Sequence, residues 1–321
     1  IVDLQREYKD QQENDASSQT STQSWKANAK ASNGCILAHC MGLGKTFSVV
    51  AFTVTLLTHP EVSVDTDSDF SPPEKKRFFS KVLVVAPRNT IANWNLEYKK
   101  WTPIDLRDMT QVIVIDAKMP MAERVAQLKR WHEVGGICIM GYSMCTILVE
   151  ITETSPLESV TSSSSSSAII TTKAKHSKFT PQLEEYLVSP GPDILVADEA
   201  HILKNSTNKT YRAINKIRTK RRVALTGSPL QNNLSEYYTM VNFVKPNFLG
   251  TEREFKERYR KPIEAGDSID ASYYEMRQMR LKTYRLHKKL EICVNRKDNS
   301  ILVKELSRKR EFVLVVKMTG L

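Results

Sequence analysis

One short stretch, His39 to Thr46, constrains the fold of this chain more than any other. It joins the apolar run 35–38, typical of a buried parallel strand, to the apolar segment 47–54, which is long enough to continue a helix. A strand, a glycine-containing turn and Gly-Lys-Thr at the start of a helix form a phosphate-binding loop (P-loop). Strands alternate with helical segments along the rest of the chain, which predicts an α/β fold with a parallel sheet flanked by helices.

The chemistry of this loop depends on its residue types. Gly42 and Gly44 lack Cβ atoms, so the loop is free to adopt positive φ and to direct N–H groups at phosphate oxygens. His39 stands where the consensus has glycine, and the alternative interpretation is an ordinary helix start with a solvated lysine. The predicted nucleotide-binding residues are Met41, Gly42, Leu43, Gly44, Lys45, Thr46 and Phe47.

Two carboxylates follow a later strand. The apolar run 194–197 leads directly into Asp198 and Glu199. A P-loop enzyme needs an acid at the end of a neighbouring strand to hold Mg²⁺, and Asp198 fits that role together with the Thr46 hydroxyl. Glu199 is suited to orient or deprotonate a water, so Lys45, Asp198 and Glu199 are the predicted catalytic residues. The alternative is a solvated strand end.

A third strand-like run, 223–225, leads into a Thr-Gly-Ser-Pro turn at 226–229. With the two motifs before it, this segment resembles the SWI/SNF-type chromatin-remodelling ATPases. The stretches specific to that family are 202–205, directly after Asp-Glu-Ala-His, then 225–233 and 241–246. Within the family the ATRX branch is the most similar, through residues 34–42, 190–193 and 293–298.

The resemblance implies the first RecA-like lobe of an ATP-dependent double-stranded-DNA translocase in the nucleus. Such a motor uses ATP and Mg²⁺ and acts on nucleosomes and histones. Coupling between nucleotide and DNA is assigned to His201, Thr226, Gly227 and Ser228. DNA contacts are assigned to Arg88, Asn89, Lys204 and Asn205. In this family a second RecA-like lobe supplies catalytic arginines, so residues 1–321 alone are expected to be inactive.

Some of these residues have structural alternatives. A helix cap at Asn89 or Thr90 explains the segment after the second strand as well as DNA contact does. Trp94 and Trp101 share one face of the following helix, where core packing is favoured over base stacking. The formal net charge of +11 favours an anionic partner, nucleic acid first.

Composition marks a polar connector at 1–32. The resemblance implies three further parts: a RecA-like lobe at 33–247, a helical protrusion and brace at 248–310, and a strand leading to a second lobe at 311–321. Polar insertions are predicted at about 60–80 and 151–178. The five cysteines contain no C-x-x-C pair and are predicted to be buried, reduced thiols. No apolar run reaches 18 residues, so no membrane partner is expected.

Two other functions are compatible with the motifs. One is a nucleotide-binding module on chromatin or DNA that has no turnover, although Lys45, Asp198 and Glu199 are all present. The other is a strand-separating RNA helicase of the DEAH type. The stretch 202–205 and the long helical protrusion argue against the helicase.

Overall fold

The computed structural model describes residues 34–58, 80–153, 179–227, 234–298, 300, 311, 312 and 314. Its strands are β1 Cys35–His39, β2 Lys81–Ala86, β3 Val112–Ile115, β4 Gly136–Gly141, β5 Ile194–Ala197, β6 Arg222–Leu225 and β7 Val294–Lys297. They form one sheet in the order β3-β4-β2-β5-β6-β1-β7, and every neighbouring pair is parallel.

Helices connect and cover these strands. They are α1 Lys45–Thr58, α2 Ile91–Trp101, α3 Met121–Val134, α4 Tyr142–Thr152, α5 Thr180–Leu183, α6 Lys209–Lys216, α7 Leu234–Val244, α8 Glu252–Phe255, α9 Lys261–Gly266 and α10 Tyr273–Leu290. The 3₁₀ turns are Ile104–Leu106 and Ala200–Leu203, and π-helical turns at Glu184–Val188 and Lys256–Arg260 continue α5 and α8. The predicted parallel sheet flanked by helices is confirmed.

The core lies on both faces of the sheet, as the continuous apolar runs of its strands require. Alternate residues of β2 show this. Val82 and Val84 belong to the cluster beneath α1 and α2, whereas Leu83 and Val85 belong to the larger cluster on the opposite face. That second cluster includes buried side chains of α3, α4, α6 and α7.

The sheet includes a strand within the range 248–310, which was predicted as helical protrusion and brace. Residues 294–297 form β7, which pairs with β1 so that Ile36 lies opposite Val294 and His39 opposite Lys297. Before it, α10 begins with a capping box in which Ser272 and Glu275 satisfy each other's backbone N–H groups. The protein therefore returns from its helical segment to the sheet beside the P-loop strand.

Several sequence predictions lie outside the described residues. They are the connector 1–32, nearly all of both insertions, Ser228, and the strand 311–321 apart from residues 311, 312 and 314. Within the described ranges, no helix is both long and apolar enough to cross a membrane.

The cysteine prediction is confirmed in part. All five cysteines are free, but Cys35 and Cys40 are only half-buried. Burial raises the pKa of the Cys145 thiol to about 12 and that of Cys293 to about 11. These two thiols therefore remain protonated at neutral pH.

Candidate nucleotide-binding site

The loop after β1 has the backbone that its glycines predict. Gly42 and Gly44 have φ of 86° and 71°, in the left-handed region that favours glycine, and α1 begins directly afterwards. His39 is still part of the strand, paired in register with Lys297 of β7. Its extended conformation suits any residue, which explains why the position that is glycine in the consensus tolerates histidine here.

Lys45 folds back over the loop that precedes it. Its ammonium Nζ donates to the carbonyl oxygen of His39 at 2.9 Å and is 3.4 Å from that of Cys40. These are neutral acceptors, and an ionised phosphate oxygen is a stronger one. The two carbonyl contacts therefore hold the Lys45 ammonium beside the loop. An incoming phosphate is able to replace them.

Asp198 follows β5 and is buried, with 8% of its surface exposed. Its Oδ2 accepts the indole N–H of Trp94 at 2.8 Å, and its Oδ1 accepts the backbone N–H of Glu199 at 2.9 Å. Burial raises the pKa of the Asp198 carboxyl, and the hydrogen bond from Trp94 opposes part of that shift. The Tyr142 hydroxyl donates to the backbone oxygen of Asp198 at 2.6 Å, which fixes the main chain here.

Glu199 has an unusual backbone for a non-glycine residue, with φ of 47° and ψ of 51°. Residues in this region carry strain and persist only where their surroundings hold them. The carboxylate Oε2 of Glu199 lies 3.1 Å from Nδ1 of His201. The chain therefore turns sharply after β5, and the turn brings a predicted coupling residue into contact with a predicted catalytic one.

The third motif contacts the P-loop directly. Thr226 is buried, and its backbone N–H donates to the Leu37 oxygen of β1 at 3.1 Å. A Cβ atom built on Gly227 would lie 3.2 Å from Cγ of Met41 and 3.5 Å from Nζ of Lys45. A larger residue at 227 would therefore press against the Met41 side chain of the P-loop.

The predicted DNA-contacting residues all follow strands at the carboxyl edge of the sheet. Arg88 and Asn89 are exposed after β2, and Lys204 and Asn205 are exposed after β5. The Lys204 ammonium is 3.0 Å from Oε1 of Glu236.

The alternative of a helix cap before α2 is confirmed in position at Thr90, but not as a side-chain cap. The N-cap position is Thr90, not Asn89, and it makes no side-chain hydrogen bond to the helix. The Thr90 hydroxyl donates instead to the oxygen of Pro87 at 3.0 Å. Arg88 and Asn89 therefore have no capping role.

The two tryptophans of α2 differ. Trp94 is 1% exposed, which confirms core packing. Its N–H donates to Asp198, a contact that the sequence analysis did not predict. The one available signal was general, namely that a buried indole needs an acceptor. The prediction of core packing is wrong for Trp101, which is 45% exposed. Its indole N–H donates to Glu97, and its ring centroid lies 4.7 Å from that of Phe47.

The oxygen atoms at this edge suit Mg²⁺, which is commonly held by one or two protein oxygens together with phosphates and waters. Thr46 offers a hydroxyl, and the two hydrogen bonds to the Asp198 carboxylate leave about half of its acceptor capacity available. Among the described residues, no group of three or more His, Cys, Asp or Glu side chains is arranged to hold a metal ion. Thr46 and Asp198 therefore offer oxygen ligands of the kind that Mg²⁺ takes together with nucleotide phosphates.

The parallel sheet, with a P-loop after β1 and paired carboxylates after β5, defines the class as a RecA-like α/β lobe. The chain belongs to the SNF2-related domain family, whose profile matches residues 18–321. It is 38% identical over 292 residues to the transcriptional regulator ATRX homolog of Drosophila melanogaster, covering 91% of this chain and 20% of that protein. It is 39% identical over 299 residues to the human transcriptional regulator ATRX, covering 92% of this chain and 10% of that protein.

A solved structure has the same fold. The SWI2/SNF2 ATPase core of Sulfolobus solfataricus in complex with double-stranded DNA matches with a TM-score of 0.52 at 20% identity. The match covers 86% of this chain and 42% of that one. The predicted RecA-like fold and the predicted family are both confirmed. The chain spans a tenth to a fifth of the length of these ATRX relatives.

Proposed function

We propose that this chain is the ATP-binding first lobe of a double-stranded-DNA translocase that acts on nucleosomes in the nucleus. One observation carries the proposal: three loops meet at the carboxyl edge of the sheet. The P-loop lysine contacts its own loop and lies beside Gly227 of the third motif. Burial raises the pKa of the Asp198 carboxyl, and the nearby positive charge of Lys45 opposes a small part of that rise. This edge is where open parallel sheets bind ligands.

In this proposal each element has a distinct role. The N–H groups of residues 41–47 and the Lys45 ammonium bind the ATP phosphates, and Thr46 and Asp198 hold Mg²⁺, which neutralises charge on the phosphate oxygens. Glu199 orients the attacking water. His201, Thr226, Gly227 and Ser228 transmit the nucleotide state to the DNA-contacting residues.

Three further observations support a DNA partner. The net charge is +11, the exposed Arg88, Asn89, Lys204 and Asn205 share the edge that carries the P-loop, and the Sulfolobus solfataricus ATPase core is bound to duplex DNA. Contacts to phosphates position a protein without reading bases, so tracking along any sequence is expected. Histones and a second RecA-like lobe are the proposed protein partners, and residues 1–321 alone are expected to be inactive as an ATPase.

The test is Lys45→Ala in the intact protein, with nucleotide binding and phosphate release measured with and without duplex DNA. Loss of the ammonium should abolish DNA-stimulated release, because it removes the positive charge that lies against the His39 and Cys40 carbonyl oxygens at the proposed phosphate site. Lys129→Ala is the matched control, since Lys129 lies on α3 and pairs with Glu133 at the surface. Normal turnover by a folded Lys45→Ala protein would contradict the proposal, and strand displacement on RNA duplexes would favour the helicase alternative.

A further inference from the structure

Trp94 connects the hydrophobic core to the carboxylate after β5. The side chain is 1% exposed, and its indole N–H donates to Oδ2 of Asp198 at 2.8 Å, across 104 residues of sequence. The oxygen of the Thr90 hydroxyl lies 3.5 Å from the same Oδ2. The short contact therefore comes from the rigid aromatic side chain, not from the flexible hydroxyl.

Trp94 is itself fixed relative to the P-loop. It lies one helical turn before Tyr98 on α2, and the two ring centroids are 6.1 Å apart. The Tyr98 hydroxyl is 3.0 Å from Oγ1 of Thr53 on α1, and both residues are completely buried. Because α1 begins at Lys45, a continuous buried path joins the helix of the P-loop to Asp198 through Trp94.

The two hydrogen bonds to Asp198 define the plane of its carboxylate. Oδ2 is held by a side chain of α2, and Oδ1 is held by the backbone N–H of Glu199. A carboxylate held at one oxygen alone is freer to rotate, and ordering it on binding costs conformational entropy. Partners of this kind, which orient a metal ligand without touching the metal, commonly affect metal affinity about 10- to 100-fold.

We propose that Trp94 is a positioning residue for Mg²⁺-nucleotide, acting through its indole N–H on the rotamer of Asp198. The inference rests on the proposed function, because it takes Asp198 as a Mg²⁺ ligand. Trp94 then contributes to the affinity of the protein for Mg²⁺-nucleotide and leaves the affinity for metal-free nucleotide unchanged.

The experiment measures equilibrium binding of N-methylanthraniloyl-ADP to the intact protein while Mg²⁺ is titrated, so that no turnover is needed. Trp94→Phe keeps an aromatic ring in the core and removes the N–H donor. A second variant places 3-benzothienylalanine at position 94, which keeps the shape of the indole and replaces the N–H by sulfur. Both variants should need about 10- to 100-fold more Mg²⁺ for the same enhancement of binding, with unchanged affinity in EDTA.

Trp131→Phe is the matched control. Trp131 is as buried as Trp94, and its N–H donates to the backbone oxygen of Gly136 at 3.0 Å, on α3 and away from the P-loop. It should leave the Mg²⁺ titration unchanged.

An unchanged titration in both Trp94 variants would overturn the inference. So would an equal loss of binding with and without Mg²⁺, which would show damaged packing. If the wild-type protein bound the nucleotide without any response to Mg²⁺, the proposed function would be contradicted. That outcome differs from one in which only the Trp94 variants behave unexpectedly, so the experiment distinguishes failure of the proposed function from failure of the inference about Trp94.

Discussion

The imidazole Nε2 of His39 lies 2.9 Å from the amide oxygen Oδ1 of Asn295, although 256 residues separate them in sequence. His39 ends the P-loop strand and Asn295 lies on β7, so the contact joins the start of the loop to the edge of the sheet. His39 is 6% exposed, and its Nδ1 has no hydrogen-bond partner among the described residues. The imidazole therefore depends on Asn295 for the side-chain hydrogen bond that it makes here.

We expect Asn295→Ala to destabilise the lobe by about 1 kcal/mol, because it leaves a buried imidazole without this partner. The urea midpoint of unfolding is the measurement. Since removing both partners of a buried hydrogen bond costs less than removing one, His39→Leu with Asn295→Ala should cost less than the two single changes added. Strict additivity of the two effects would show that the contact contributes no coupling energy.

Glu199→Gln should retain nucleotide binding and slow hydrolysis by about 10²-fold or more, because the amide cannot accept a proton from water. The amide keeps the size of the side chain and the strained backbone at φ of 47°. Phosphate release at saturating ATP and duplex DNA gives the rate, and binding of a fluorescent nucleotide shows that the site is intact.

Glu133→Gln is the matched control for Glu199→Gln. Glu133 lies on α3 and pairs with Lys129 at the surface, so the substitution removes the same charge away from the predicted site residues. A hydrolysis rate unchanged by Glu199→Gln would assign the acceptance of the proton from water to another group.

The parts of this site that are contiguous in sequence were predictable, and the contacts between residues far apart in sequence were not. The strand, loop and helix around Lys45 are contiguous in sequence, and parallel strands place the segments after β5 and β6 at the same edge. β7 was missed because Val294 is the one apolar residue in its four, so no hydrophobic periodicity marks it. β7 is stabilised by pairing with β1, and the residue types of 294–297 do not indicate that pairing.

The glycine before β1 gives a test of packing at the same strand. A Cβ atom on Gly34 would overlap the backbone oxygen of Val244 and would lie 2.9 Å from that of Arg222. Backbone atoms cannot move aside as a flexible side chain would, so Gly34→Ala should cost about 1–3 kcal/mol or more. Thermal unfolding of the variant measures the loss.

Gly141→Ala is the control for this change. The nearest atom to a Cβ there is Cδ1 of Ile91 at 3.5 Å, an ordinary contact, and φ is −78°. It should alter stability by less than about 0.5 kcal/mol. Equal melting temperatures for the Gly34 and Gly141 variants would show that β1 and α7 are packed less tightly than the structure indicates.

DNA affinity should fall steeply with salt and depend little on base sequence, because phosphate contacts release condensed counterions. If Arg88 contacts one phosphate, Arg88→Ala should reduce the slope of log affinity against log salt by about 1 and weaken binding to all sequences alike. The measurement is fluorescence anisotropy on two duplexes of unrelated sequence across a range of salt concentrations.

Arg107→Ala is the control for charge alone. Arg88 precedes α2 at the carboxyl edge of the sheet, whereas Arg107 follows α2, which runs back toward the opposite edge before β3 begins. Both changes remove one positive charge, but Arg107→Ala should leave the slope unchanged if DNA lies along the carboxyl edge. Equal effects of the two variants would mean that the net charge of +11 acts as a diffuse attraction, with no DNA path beside the P-loop.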